Sequence, residues 1–284
     1  MARPPFVLPI EPDPCPDLFV ERGPKDEGVG RWVPNEKHTL LAKLLGGTRS
    51  ARAKWGERIL IDPFCGPGRL LVEGESRTRD GGTVVAWRQS RASGVPFTKV
   101  LVGDIDAERV SACESRLRAL GAPVQAFVGP AVETTKQMVR QVPKRSLALA
   151  YIDPYNLEFL SFEIIKALSF LEHVDFVVHF STMDLQRNVV MELDDARARF
   201  DDAAPGWRVN ISVKTLSKPE LRQAFFVYWM KLISDLGFAF SKEKPLVRGD
   251  RNEPLYRLVS FRRHAFPNKI WDEVARGANM TFDF

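Results

Sequence analysis

Ile59-Leu-Ile-Asp-Pro-Phe-Cys-Gly-Pro-Gly68 is a short apolar run that ends in an acid, Asp62, and breaks into a turn closed by two glycines. A buried strand that feeds a ligand-binding loop has this form. Gly66 and Gly68 let the backbone approach a ligand closely or adopt a positive φ, where a Cβ would clash. Such a loop occurs in many α/β proteins, so its meaning depends on what surrounds it.

Outward from this loop the chain alternates. Strands are predicted over 58–62, 98–103, 123–128, 146–153, 174–180, 237–241 and 255–261, and helices over 68–73, 106–120, 132–142, 158–171 and 219–236. Leu147-Ala-Leu-Ala-Tyr-Ile152 and Phe176-Val-Val-His-Phe180 are apolar at alternate and intervening positions alike, as strands buried on both faces of a parallel sheet must be. Upstream, Leu40, Leu41, Leu44 and Leu45 have helical spacing, and Gly46-Gly47 supplies a stop. The last two strands are joined by 242–254, which reads as a surface hairpin loop. A seven-stranded, mostly parallel sheet with helices on both faces is the expectation.

Residues 1–30 stand apart. Pro4, Pro5, Pro9, Pro12, Pro14, Pro16 and Pro24 remove backbone donors and fix φ, so this segment is expected to be an extended surface arm or partly disordered. The domain proper is expected over 31–284. Two stretches interrupt its alternation, 74–97 and 184–217, and both are placed to form a substrate lid at the C-terminal edge of the sheet.

Three further segments fall at strand ends. Val100-Leu-Val-Gly-Asp-Ile-Asp106 sets Asp104 and Ile105 after an apolar strand; Phe127-Val-Gly-Pro-Ala131 offers Gly129 and Pro130; Ala150-Tyr-Ile-Asp-Pro-Tyr-Asn156 presents Asp153, Pro154 and Tyr155. Together with Asp62, Pro63, Phe64, Gly66 and Gly68 they resemble the class I S-adenosylmethionine methyltransferases, which have a Rossmann-like fold. That resemblance implies S-adenosyl-L-methionine as cofactor, held by the glycine loop, with Asp104 accepting from the ribose hydroxyls. Asp106 fits better as the cap of the next helix, although it competes for the ribose role. Ile105, Gly129 and Pro130 would border the adenine. Asp153-Pro154-Tyr155 resembles the Asp-Pro-Pro-Tyr signature of amino-group methyltransferases, in which the acid and a prolyl carbonyl accept hydrogen bonds from the target amine and the aromatic stacks on the base. Here the second proline is missing and Tyr155 comes one position early.

Gly30-Arg-Trp32, Lys37-His38, Tyr256-Arg-Leu-Val-Ser-Phe261 and Asn268-Lys-Ile-Trp271, added to these motifs, resemble the three-Cys-motif partner (TcmP) family of methyltransferase-like proteins. That resemblance implies a companion protein bearing a three-cysteine motif and leaves the substrate open. Cys65 stands where a small residue such as Ala is expected, and Asn156 where Gly is common.

Lys37 and His38 precede the first helix and could reach the pocket mouth. Ser181, Asp184 and Arg187, at the exit of the 174–180 strand, are the other candidates to meet an acceptor. His179, inside that strand, reads as a satisfied core histidine. Cys65 reads as small-residue packing, since a cytosine-type nucleophile would follow the fourth strand. Arg77, Arg79, Arg88 and Arg91 read as a solvated surface, with a phosphate-facing stripe as the sharper alternative. Phe225, Phe226, Tyr228 and Trp229 read as core.

Composition narrows the class. With 44% hydrophobic and 27% charged residues in 284, the chain has the makeup of a globular protein. Three widely spaced cysteines with no CxxC exclude a disulfide framework and a structural zinc site. No secretory n-region and no apolar run of membrane-spanning length is present, so a cytoplasmic protein without membrane contact is expected. The net charge of +5 permits an anionic partner. The leading expectation is a methyltransferase acting on a nitrogen of a nucleic-acid base or nucleotide-like acceptor. A small-molecule biosynthetic methyltransferase and a non-catalytic binding subunit of a companion enzyme remain open beside it.

Overall fold

A computed structural model describes residues 6–23, 25–193, 198–263 and 266–279. Pro4, Pro5 and Pro24 of the arm, and Asp194 and Asp195 of the 184–217 stretch, lie outside them. In chain order the strands are β1 (Glu57–Asp62), β2 (Arg69–Leu71), β3 (Thr78–Asp80), β4 (Lys99–Asp104), β5 (Val124–Val128), β6 (Ser146–Ile152), β7 (Val174–Ser181), β8 (Ala239–Phe240), β9 (Leu246–Arg248) and β10 (Pro254–Arg262).

The main sheet runs β5-β4-β1-β6-β7-β10-β8, with β9 added onto β10. β1 is parallel to both neighbours, β4 and β6, and β7 is parallel to β6. β10 runs antiparallel to β7, β8 and β9. This is a Rossmann-like mixed α/β fold. The strand order reverses between β1 and β6, and a parallel sheet opens a ligand crevice outside the carboxyl ends of the strands at that point.

Alternation sorts the strand residues onto two cores. Ile59, Ile61, Ala150, Ile152, Phe176, Val178 and Phe261 face the aromatic cluster of Trp207, Phe225 and Trp229. Leu60, Val100, Val102, Leu149, Tyr151, Val177 and Leu258 face the helices Thr39–Gly47, Gly82–Ala92 and Ala107–Ala119. The Leu40-Leu41-Leu44-Leu45 stripe buries here as its spacing requires. Among the described residues no helix is long and apolar enough to cross a membrane.

Several local expectations need correction. The predicted helix over 68–73 is instead β2, the first strand of a hairpin with β3. Gly68 at φ +73° and Gly81 explain the turn into it: Gly81 donates to the Gly68 carbonyl at 2.9 Å, and a Cβ on Gly81 would lie 2.9 Å from the Gly68 carbonyl carbon. The helix predicted over 158–171 begins only at Phe162, because Ser161 caps it by accepting from the Glu163 amide. The 242–254 loop contributes β9 to the sheet.

Neither interruption is a free lid. Within 74–97, the helix Gly82–Ala92 is the crossover from β1 to β4, with Val84, Ala86 and Trp87 buried. Arg79 pairs with Glu75 at 2.7 Å and Arg88 with Asp80 at 2.8 Å, so two of the four arginines have acidic partners. Within 184–217, Leu185, Val189, Phe200 and Trp207 fill the core. The arm is docked instead: Glu21 and Val29 bridge to Leu70 and Val72 of the hairpin.

Candidate functional site

Asp62 ends β1, Asp104 ends β4 and Asp153 follows β6, and all three line one cavity of about 1130 Å³. Single small-ligand sites usually occupy about 300–1,000 Å³, so there is room for a nucleoside cofactor together with an acceptor. Pro63, Phe64, Gly66, Gly68, Ile105 and Pro130 lie on the same wall. Gly66, at φ +52°, has nothing within 4 Å of where a Cβ would be, so its bare backbone borders open space.

The three acids differ in how far their lone pairs are used. A carboxylate offers about four acceptor positions. Asp104 accepts from the Gly66 amide at 3.1 Å and the Asp106 amide at 3.2 Å, which pins the glycine loop and leaves about two positions open. Asp106 caps the helix Ala107–Ala119 through the Glu108 and Arg109 amides, as expected. Asp62 is 1% exposed and accepts from the Phe64 amide at 2.9 Å and from the Thr83 hydroxyl. Burial pushes its carboxyl up to about 7, and the charges of Asp153 and Asp104 push the same way against the Thr83 and Phe64 hydrogen bonds. Among the described residues neither Asp62 nor Asp104 has a cationic partner.

Asp153 is saturated. Lys37 Nζ lies 2.9 Å from Oδ1 and 2.8 Å from Oδ2; the Tyr151 hydroxyl donates to Oδ2 at 2.9 Å, and His179 Nδ1 is 2.9 Å from Oδ1. Burial alone would raise this carboxyl, but the Lys37 charge and the His179 hydrogen bond outweigh it and hold the group well below the usual carboxylate range. His179 reaches it because it lies on the same side of β7 as Val177, which packs in the core of Leu40, Leu41, Leu44 and Leu45, and Lys37 lies just before the helix that carries those leucines. The imidazole is held below its ordinary range, first by burial and then by Lys37, against the pull of Asp153.

His179 is buried and hydrogen-bonded, as a histidine inside an apolar strand should be, but it also lines the cavity; the usable signal is its register, two residues from Val177 on a face that ends at the strand tip. His38 also lines the cavity, and burial with the Lys37 charge depresses it to about 3, so it is neutral. Tyr155 is 73% exposed and Phe159 52%, and both stand at the rim. Ser181 lines the cavity, but its hydroxyl caps the helix Thr182–Asn188 by accepting from Asp184. Asp184 does not face the cavity. Its carboxylate accepts from the Leu157 amide at 2.9 Å and holds the Asp-Pro-Tyr turn in place. Arg187 is exposed, and neither it nor Gly129 lines the cavity. Burial raises the Cys65 thiol, so it is no thiolate nucleophile.

The remaining wall is the arm. Glu21, Gly23, Lys25, Glu27, Gly28, Val29 and Gly30 border the cavity, and the two interruptions contribute only Gly81, Gly82 and Asp202 among the described residues.

No family model matches the chain, and no curated protein matches it. Among solved structures it is similar to a Legionella pneumophila protein at 9% identity, over 87% of this chain and 92% of that one, with a TM-score of 0.52. It is also similar to a putative RNA methyltransferase from Pyrococcus horikoshii at 13% identity, covering 87% and 92%, TM-score 0.42. An O-methyltransferase from Bacillus cereus in complex with SAH aligns at 9% identity over 80% and 81%, TM-score 0.44. The first of these likenesses bears on the fold alone.

Proposed function

We propose that the chain is an S-adenosylmethionine-dependent methyltransferase acting on a nitrogen of a nucleobase or nucleotide-like acceptor. The observation that carries this reading is the pair of uncompensated carboxyls, Asp62 and Asp104, under a glycine-cornered loop at the sheet's switch point. When bound, S-adenosylmethionine supplies an electrophilic methyl on a positively charged sulfur. Asp104 has about two lone-pair positions left for ribose hydroxyls, in the charge-assisted geometry that favours carboxylates. Asp62, buried without a cation, offers the complement for a ligand ammonium. The rim aromatics Tyr155 and Phe159 fit a planar acceptor ring. Positioning and electrostatics then supply most of the acceleration, since a displacement at carbon needs little covalent help.

Isothermal titration tests the premise. Micromolar binding of S-adenosylmethionine is expected, and Asp104→Ala is expected to weaken it about 30-fold, the worth of hydrogen bonds to one charged group. An unchanged affinity in that variant would remove Asp104 from the cofactor site.

A further inference from the structure

The Asp153 carboxylate has no lone pair to give an incoming amine. Lys37, Tyr151 and His179 already occupy about four positions on its two oxygens. An exocyclic amine, the acceptor that an Asp-Pro-Pro-Tyr site serves, would have to displace one of them.

His179 is arranged in the opposite sense. Its Nδ1 is committed to Asp153, while its Nε2 has no partner, and the ring, 8% exposed, lines the cavity. A carboxylate on Nδ1 keeps the proton there and leaves the Nε2 lone pair free. Leaving such an atom buried and unpaired has a cost, which a ligand N–H placed against it would remove. Tyr256 fixes the ring from the other side, with centroids 4.2 Å apart in an edge-on arrangement.

Resting on the methyl-transfer reading above, we infer that His179 is the general base of the reaction and that the acceptor is a ring lactam N–H of a nucleobase-like molecule. The acceptor N–H bond breaks with its electron pair left on nitrogen, and the proton passes to His179 Nε2. That nitrogen forms the bond to the methyl carbon as the carbon–sulfur bond breaks, its pair going to sulfur. Asp153 then faces an imidazolium and stabilises it, so Asp153 is a positioning residue.

The groups facing His179 are Asp153 and the Pro154 carbonyl from the β6 exit, Lys37 from the helix Val33–His38, and Tyr256 from β10. Burial and Lys37 outweigh Asp153 and the Pro154 carbonyl, so the imidazole is neutral above the 6.5 of a free side chain and is ready to accept a proton there. Activity should therefore rise with pH along a limb centred below 6.5 and then level off.

The test uses S-adenosylmethionine labelled in its methyl group with guanosine, inosine, uridine, adenosine and cytidine as probes. Label is expected on guanosine, inosine or uridine, whose rings carry a lactam N–H, and not on adenosine or cytidine. His179→Asn keeps a donor toward Asp153 without a base. It should lower kcat about 100-fold and abolish the acid limb, while cofactor affinity by calorimetry stays within about twofold. Transfer at more than half the wild-type rate, an unchanged acid limb, or label on an exocyclic amine overturns the inference. If thermal denaturation shows that His179→Asn does not fold, His179→Gln decides on the same kcat and pH readouts. Wild-type protein that fails to bind S-adenosylmethionine sinks the methyl-transfer reading itself. Binding with no labelled nucleoside leaves that reading standing and sinks the acceptor assignment.

Discussion

Arg116→Met is expected to lower the melting temperature by about 10 °C and to free the N-terminal arm. Arg116 is fully buried, on the helix Ala107–Ala119, and every donor it has is used. Nε and Nη2 grip the two Asp13 oxygens at 2.9 and 3.0 Å; Nη1 donates to the carbonyls of Phe19 and Pro67, each at 2.8 Å; Nη2 reaches those of Cys15 and Leu18 at 3.2 Å. One side chain thus ties the arm to the glycine loop. Methionine replaces the stem but leaves Asp13, whose side chain is 9% exposed, with the Cys15 amide at 3.0 Å and, as its remaining cation among the described residues, Arg69 Nε at 3.8 Å. Removing one partner of a buried pair costs about 4 kcal/mol, and in a chain of this size each kcal/mol shifts the midpoint by about 2–4 °C.

A pH control separates this cause from simple loss of packing. Burial raises the Asp13 carboxyl, but the Arg116 hydrogen bond and charge hold it below its ordinary value. A carboxylate depressed in the folded state contributes stability above its unfolded pKa of about 3.8 and loses it as pH falls through the folded value. The gap between wild type and Arg116→Met should therefore narrow toward pH 3. Limited proteolysis reads the arm directly: the variant should be cut between 6 and 23 while the wild type resists. An unchanged midpoint together with an uncut arm would mean that the hairpin bridges at Glu21 and Val29 hold the arm without Arg116.

The arm is also where the sequence was least legible, and the reason is physical. Seven prolines say only that the segment has few donors and prefers extended backbone. They carry no information about a partner more than 40 residues away, and the partner is a hairpin that itself lacks a periodic signal. Arg69-Leu-Leu is too short to show a period. The strand tips were readable because each couples an apolar run, buried on both faces, to an acid at the point where burial ends. Asp62, Asp104 and Asp153 obey that rule and converge. His179 obeys the opposite one: a titratable ring inside an apolar strand is silent until the register shows Asp153 opposite it. Asp184 failed as an acceptor residue because a carboxylate near a helix start has a nearer use in satisfying backbone amides, here that of Leu157.

Asp62→Asn is expected to raise the melting temperature at pH 8 by on the order of 10 °C, to have almost no effect at pH 4, and to weaken S-adenosylmethionine binding at least about tenfold. The stability part follows from linkage. In the folded chain the Asp62 carboxyl sits at about 7, against 3.8 for a free side chain. Below 3.8 both states hold the proton and the folded state has no penalty. As pH rises toward 7 the unfolded chain ionises while the folded one does so only against burial and the Asp153 and Asp104 charges, so stability drains away. Above 7 the loss is complete and amounts to on the order of 4 kcal/mol. Asparagine keeps the geometry, because its carbonyl accepts from Phe64 and its amide donates to the Thr83 hydroxyl once that rotor turns, and it has no charge to bury. Retaining an acid that destabilises the ligand-free protein makes sense only if a bound cation offsets it, and the methyltransferase reading puts the ligand's ammonium there. A variant that gains stability at pH 8 yet binds S-adenosylmethionine as tightly as wild type would show that the strain at Asp62 serves some other ligand, and the cofactor assignment would have to be withdrawn.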